Sequence, residues 1–152
     1  YEPEEKGVMI AYASMYGNTE NMAEIFAASL AESGVKNIRM HNISKTHVSE
    51  LISDSFKYSH IVLAAPTYNN GIYPLMDNFL GDMKALALQN RTVAVLGNGT
   101  WAPQSTKLIT AKIGEMKNMR LLDGAVTIKS AVKDPQMEEI VSLARQIAEE
   151  VL

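Results

Sequence analysis

Cysteine does not occur in this chain of 152 residues. Its absence removes disulfides, thiol catalysis, iron–sulfur clusters and cysteine-bound zinc together. Positive charge is also scarce: 14 Lys and Arg stand against 17 Asp and Glu, for a formal net charge of -3. This balance argues against non-specific binding to nucleic acid or to an anionic membrane surface, and it favours a basic partner. No apolar run approaches the ~20 residues of a membrane span. The first residues, YEPEEKG, are acidic where a secretory leader would be basic. A cytoplasmic location is the expectation. Aromatic residues make up only 7% of the chain, with a single tryptophan, Trp101, so the places where they do fall carry weight.

With 47% hydrophobic and 20% charged residues, the composition is that of an ordinary globular domain. A chain of this length buries about two-thirds of its unfolded surface in one core and needs no staple. Residues 1–7, charged and containing Pro3, read as a linker remnant, and residues 8–152 as one domain cut from a longer protein, unless the start is engineered.

Short apolar runs alternate with longer segments of helical periodicity. Val8 to Ala13 is a continuous apolar run of buried-strand length. Asn18 or Thr19 then caps a segment with Met22, Ile25, Phe26 and Leu30 on one face, stopped by Ser33-Gly34. NIRMHNI is a weaker strand, followed by a short helix from about His47 to Ser55. HIVLAAP is a strand ended by Pro66, and Pro74 opens a helix reaching about Leu88. RTVAVLGN is a third strong strand. Ser105 to Met116 reads as a helix, RLLDGAVTIK as the next strand region, and Asp134 to Leu152 as the closing helix, with Ile140, Leu143, Ala144, Ile147 and Val151 on one stripe. Five strand-helix repeats with crossovers of this length predict a parallel sheet covered by helices on both faces.

In open parallel sheets, ligands bind beyond the carboxyl ends of the strands, where strand order reverses. The segments after the three strong strands are therefore the candidates. The first, ASMYGNTE, runs from Ala13 into a helix through small, hydroxylated and glycine positions without one positive charge. The first turn of a helix offers unpaired N–H groups and the positive end of its dipole, and Ser14 and Thr19 add hydroxyl donors. Five such contacts supply on the order of 10 kcal/mol to an anion, enough for a phosphate monoester held without lysine. A plain strand-to-helix turn with a good N-cap is the alternative. The Walker pattern lacks its lysine at Gly17-Asn18-Thr19, and the dinucleotide fingerprint has only Gly17 of its three glycines.

The second segment, PTYNNGIYP, places Tyr68 and Tyr73 beside Asn69, Asn70 and Gly71; Asn70-Gly71 is also a common hairpin pair. The third, GNGTWAP, carries Trp101 between Gly99 and Pro103. A lone tryptophan is most often a core anchor, but this one follows a strand in a glycine-rich segment without apolar periodicity, which favours a ligand-facing role. The implied ligand has a phosphate at one end and flat rings at the other.

The three segments together resemble the flavodoxin family, which binds flavin mononucleotide (FMN). In finer detail SMYGNT, APTYNNGIYP and GNGTWAP resemble the flavodoxin-like domain of flavodiiron proteins (A-type flavoproteins), across nearly the whole chain. The resemblance implies a flavodoxin-like three-layer α/β sandwich with a five-stranded parallel sheet of order 2-1-3-4-5, of the short-chain type. It implies that Ser14, Met15, Tyr16, Gly17, Asn18 and Thr19 hold the FMN phosphate. Pro66, Thr67, Tyr68, Asn69, Asn70 and Gly71 would line one side of the isoalloxazine ring, and Asn98, Gly99, Thr100 and Trp101 the other. Tyr16 stands where single-domain flavodoxins carry a second hydroxyl residue. Full-length flavodiiron proteins pass electrons through such a domain to a diiron centre that reduces dioxygen or nitric oxide, and the electron donor is rubredoxin or a reductase. No iron-ligand set is expected here: His41, His47 and His60 have no carboxylate at ligand spacing and read as solvated or capping residues.

Stacking on Tyr68 or Trp101 without a nearby cation would disfavour a negatively charged reduced ring, and Gly71 is the position best able to turn a carbonyl toward ring N5. The alternatives are a stand-alone short-chain flavodoxin, an FMN-dependent NAD(P)H:quinone reductase, and a scaffold that has lost its cofactor. A receiver domain would need acids where Ser14 and Thr67 stand.

Overall fold

The computed structural model describes residues 2–13, 17–66, 71–99, 102–122, 126–128 and 134–152, with the backbone alone at 102, 128 and 134. Strands and helices alternate: β1 (Glu5–Tyr12), α1 (Asn18–Glu32), β2 (Ile38–Asn42), α2 (Val48–Lys57), β3 (Tyr58–Pro66), α3 (Pro74–Ala85), β4 (Thr92–Asn98), α4 (Ala102–Gly114), β5 (Arg120–Leu121), β6 (Val126–Ile128) and α5 (Asp134–Val151). All strand pairs are parallel, in the order β2-β1-β3-β4-β5, with β6 also against β4. The expected 2-1-3-4-5 sheet is therefore present, and its fifth position is filled by two pieces. Thr92 pairs with Arg120 and Leu96 with Val126, so the fifth position gains two residues on β4 between the pieces.

Alternation along the strands builds two cores. Val8, Ile10 and Tyr12 of β1 join Val62, Ala64, Ala94 and Leu96 against α1 (Met22, Phe26, Leu30) and α5 (Ile140, Leu143, Ile147). The intervening Met9 and Ala11 join Ile61, Leu63, Val93 and Val95 against α2, α3 and α4, where Leu51, Phe79, Leu80, Ile109 and Ile113 lie. Burial on both faces is why the central strands are continuous apolar runs. β2 is an edge strand with Arg39 and Met40 exposed, which accounts for its weaker apolar signal.

Boundaries differ from the sequence reading in instructive ways. β1 starts at Glu5, before the apolar run, and its register against β3 shifts between Glu5 and Val8. Gly7 lies within this irregular stretch, where only a glycine fits, because a Cβ there would meet Tyr58 at 2.7 Å and Asn37 at 2.8 Å. α4 begins at Ala102, three residues before the expected Ser105. α3 ends at Ala85, not Leu88. α2 runs two residues beyond Ser55 to Lys57, with His47 as its N-cap: the imidazole Nδ1 accepts from Ser49 N–H at 3.1 Å.

The other two histidines correct the expectation of solvated or capping roles. His41 and His60 are both buried, each beside a carboxylate distant in sequence. His41 Nε2 lies 2.5 Å from Asp54 of α2, and His60 Nε2 lies 2.9 Å from Glu150 of α5. Glu150 also takes a two-pronged contact from Arg120, and that guanidinium, followed by His60, holds its carboxyl below the usual range.

Arg91 is 2% exposed and sits just before β4. Its guanidinium donates to the carbonyls of Ser55 (3.1 Å) and Phe56 (2.8 Å) in the last turn of α2, and to Gln89 (2.5 Å). Helix C-terminal carbonyls lack intrahelical partners, and a buried cation satisfies them while complementing the dipole. Burial lowers the pKa of Arg91, but guanidinium remains charged. His60, Thr92 and Arg120 lie in one register row, so these polar groups share the amino-terminal rim of the sheet.

Candidate functional site

β1, β3 and β4 are neighbours, with Tyr12 paired to Ala64 and Pro66 paired to Asn98. The three chain segments that follow them therefore leave from one rim. β2 lies on one side of β1 and β3 on the other, so strand order reverses between β1 and β3 and opens a crevice at their carboxyl ends.

Of the sequence candidates, Gly17, Asn18, Thr19, Pro66, Gly71, Asn98 and Gly99 fall within the described residues. Ser14, Met15, Tyr16, Thr67, Tyr68, Asn69, Asn70, Thr100 and Trp101 lie outside them. Gly17, and neither Asn18 nor Thr19, is the N-cap of α1 and has no side chain of its own to cap the helix. Its φ of 87° lies in the left-handed region, where a Cβ costs about 1–2 kcal/mol. A Cβ placed there would meet nothing within 4 Å among the described residues. Thr19 is buried in the first turn.

Pro66 ends β3 half-buried. Gly71 is half-buried, and its carbonyl accepts a hydrogen bond from Ser105 Oγ, in the first turn of α4, at 2.6 Å. Asn98 ends β4, is 7% exposed, and points its amide at Met22 Sδ of α1, 3.6 Å away. Gly99 follows with φ 114°. Gly71 and Asn98, at the ends of the second and third segments, are thus each held by a neighbouring helix.

The electrostatics of this rim come from acids already engaged. Tyr12, last in β1, donates its hydroxyl to Glu20 Oε1 at 3.2 Å. Burial, then the charge of Glu20, raises the phenol above its usual 10.0. Glu20 sits in the first turn of α1 and complements its dipole. Asp77 in the first turn of α3 pairs with Lys112 of α4 at 2.8 Å, and that hydrogen bond raises the lysine pKa. No lysine or arginine occurs in residues 13–20, 66–73 or 97–102. The sequence reading missed Tyr12, Glu20 and Ser105. Glu20, three residues after Gly17, could have been read as a first-turn acid, but nothing local marks Ser105, whose partner is 34 residues away.

The Flavodoxin family profile matches residues 10–142. The chain belongs to the flavodoxin family. Its cofactor is FMN, and the flavodoxin order 2-1-3-4-5 is itself one of the standing examples of ligand binding at a β1/β3 reversal. The rubredoxin-oxygen oxidoreductase of Megalodesulfovibrio gigas is 28% identical over 141 residues, covering 93% of this chain and 35% of the relative. The probable flavodoxin 2 of Bacillus subtilis is also 28% identical, over 148 residues and 93% of each chain. The solved structure of rubredoxin oxygen:oxidoreductase from Desulfovibrio gigas superposes with a TM-score of 0.85 at 26% identity, over 97% of this chain and 37% of that one. This flavodoxin domain spans about a third of the length of the first of these curated relatives. Among the described residues, no helix is long and apolar enough to cross a membrane.

The described residues of this flavodoxin domain fit FMN. A phosphate needs N–H donors and room, and α1 starts at a glycine whose Cβ position meets nothing among the described residues. A flat ring needs two walls, and the segments flanking Gly71 and Gly99 leave adjacent, in-register strand ends.

Proposed function

We propose that this chain is the FMN-carrying electron-transfer domain of a flavodiiron-type oxidoreductase. FMN supplies reversible one- and two-electron transfer; the chain binds it, orients it and sets its electrostatic surroundings. In this reading Ser14, Met15, Tyr16, Gly17, Asn18 and Thr19 hold the phosphate with neutral donors. Pro66, Thr67, Tyr68, Asn69, Asn70 and Gly71 line one side of the ring, and Asn98, Gly99, Thr100 and Trp101 the other. Gly71 offers its carbonyl as an acceptor for a proton at ring N5. The observation that carries the reading is that three cation-free segments follow the neighbouring strands β1, β3 and β4 at the end where strand order reverses, beside a helix that starts at a left-handed glycine.

Electrons would arrive from rubredoxin or a reductase and leave for a diiron centre, in another part of the parent protein, that reduces dioxygen or nitric oxide. Support comes from relatives named rubredoxin-oxygen oxidoreductase and nitric oxide reductase, the latter from Moorella thermoacetica, each matched over about a third of its length. A second reading, a stand-alone flavodoxin, is favoured by the Bacillus subtilis relative, which is matched along 93% of both chains. The parent gene separates the two: a metal-binding domain encoded upstream of Tyr1 supports the first, and a start codon just before it supports the second.

Binding tests the site itself. Phosphate contacts worth about 1.5–3 kcal/mol each require FMN to bind at least about 100-fold more tightly than riboflavin, measured by quenching of flavin fluorescence. Equal affinities would remove the phosphate cradle.

A further inference from the structure

We infer that Ser105 is a positioning residue for the flavin, acting through the carbonyl of Gly71. The inference rests on the reading that Gly71 borders the ring. Ser29, Ser55 and Thr110 bond back to their own helices, at Ile25, Leu51 and Lys107. Ser105 leaves its helix and donates its only proton to Gly71 O at 2.6 Å, at the short end of the O–H···O range. The donor is 1% exposed, so water does not compete for it.

The bond ties the segment after β3 to the helix that follows β4. Gly71 belongs to the segment assigned to one side of the ring, and α4 follows directly on the segment assigned to the other. The bond also commits the carbonyl that glycine leaves easiest to turn. A bound flavin reduced by one electron from dithionite and protonated at N5 by water would need an acceptor there, and turning the Gly71 peptide toward N5 would draw its carbonyl away from Ser105 Oγ. Ser105 would therefore disfavour the first reduction and hold its potential down.

Ser105→Ala in the FMN-loaded protein tests this. The one-electron-reduced form gains about fivefold in stability relative to the oxidised form, an increase of about 40 mV at 59 mV per tenfold. Ser105→Cys, a weaker donor on the same stem, falls between the two. In the flavin-free protein, the Ile72 and Tyr73 amides exchange faster in Ser105→Ala than in the native chain. A first potential that stays put or drops in a folded, FMN-loaded Ser105→Ala protein overturns the inference. Should Ser105→Ala fail to fold, Ser105→Cys decides it with the same sign. If the native chain takes up no FMN, the reading of the site fails, and unchanged amide exchange would overturn the Ser105 tie on its own.

Discussion

The two rims of the sheet use polar groups in opposite ways. On the amino-terminal rim, Arg91 is committed to the carbonyls that end α2, and Glu150 is held by Arg120 and His60. These charges are consumed internally. On the carboxyl-terminal rim, the three site segments hold no cation at all, and the helix that starts there is capped by a glycine without a side chain. The contrast teaches where one small domain separates folding from binding. A buried charge must be partnered to be tolerated, so it stiffens the end that carries it. Neutral donors cost less to leave for a ligand, and they cluster at the end where strand order reverses.

Removing the largest buried group on the folding rim should break the comparison most sharply. Arg91→Met strips a donor from the carbonyls of Ser55, Phe56 and Gln89 and is expected to cost about 3–5 kcal/mol of stability. Urea midpoints measure it, and FMN affinity of the protein that remains folded should not change. The reverse experiment is Trp101→Ala on the binding rim: FMN affinity falls by about 1–3 kcal/mol while the urea midpoint holds, by analogy with aromatic–base stacking. A loss of stability in place of affinity would put Trp101 in the core.

The Glu150 pair sharpens the contrast through pH. Its folded pKa lies below the usual 4.5, chiefly through Arg120 and then His60. Its stabilisation is therefore complete above that value and disappears as pH falls through the lower folded pKa. Glu150→Gln should lower stability at neutral pH by about 1–2 kcal/mol and flatten the acid limb of a melting-temperature profile. A parallel downward shift at every pH would place the effect elsewhere. Smallest of all, His47→Ala removes the N-cap of α2 and should cost about 0.5–1 kcal/mol, read as a modest drop in melting temperature with flavin potentials unmoved.

Legibility in the sequence followed burial. β1, β3 and β4 were readable because central parallel strands are buried on both faces, and the residues after them were readable as candidates because their ends define the crevice. β2 was faint because one edge of it meets water, and no local pattern announces that the fifth position is filled by β5 and β6. The start of α1 was placed on Asn18 or Thr19 because hydroxyl and amide side chains are the usual caps. Gly17 took the position with a backbone conformation that no periodicity reveals. His41 and His60 looked unpartnered because their carboxylates come from α2 and α5, 13 and 90 residues away.

The order of elements, the family and the chemical character of the three site segments were therefore written in the chain itself, since periodicity and local composition are properties of neighbours in sequence. Partnerships across elements, Arg91 with the end of α2, Glu150 with His60 and Arg120, Ser105 with Gly71, were decided only by folding. The physical reason is range: a hydrogen bond acts over about 3 Å in space and is blind to the length of chain between its ends.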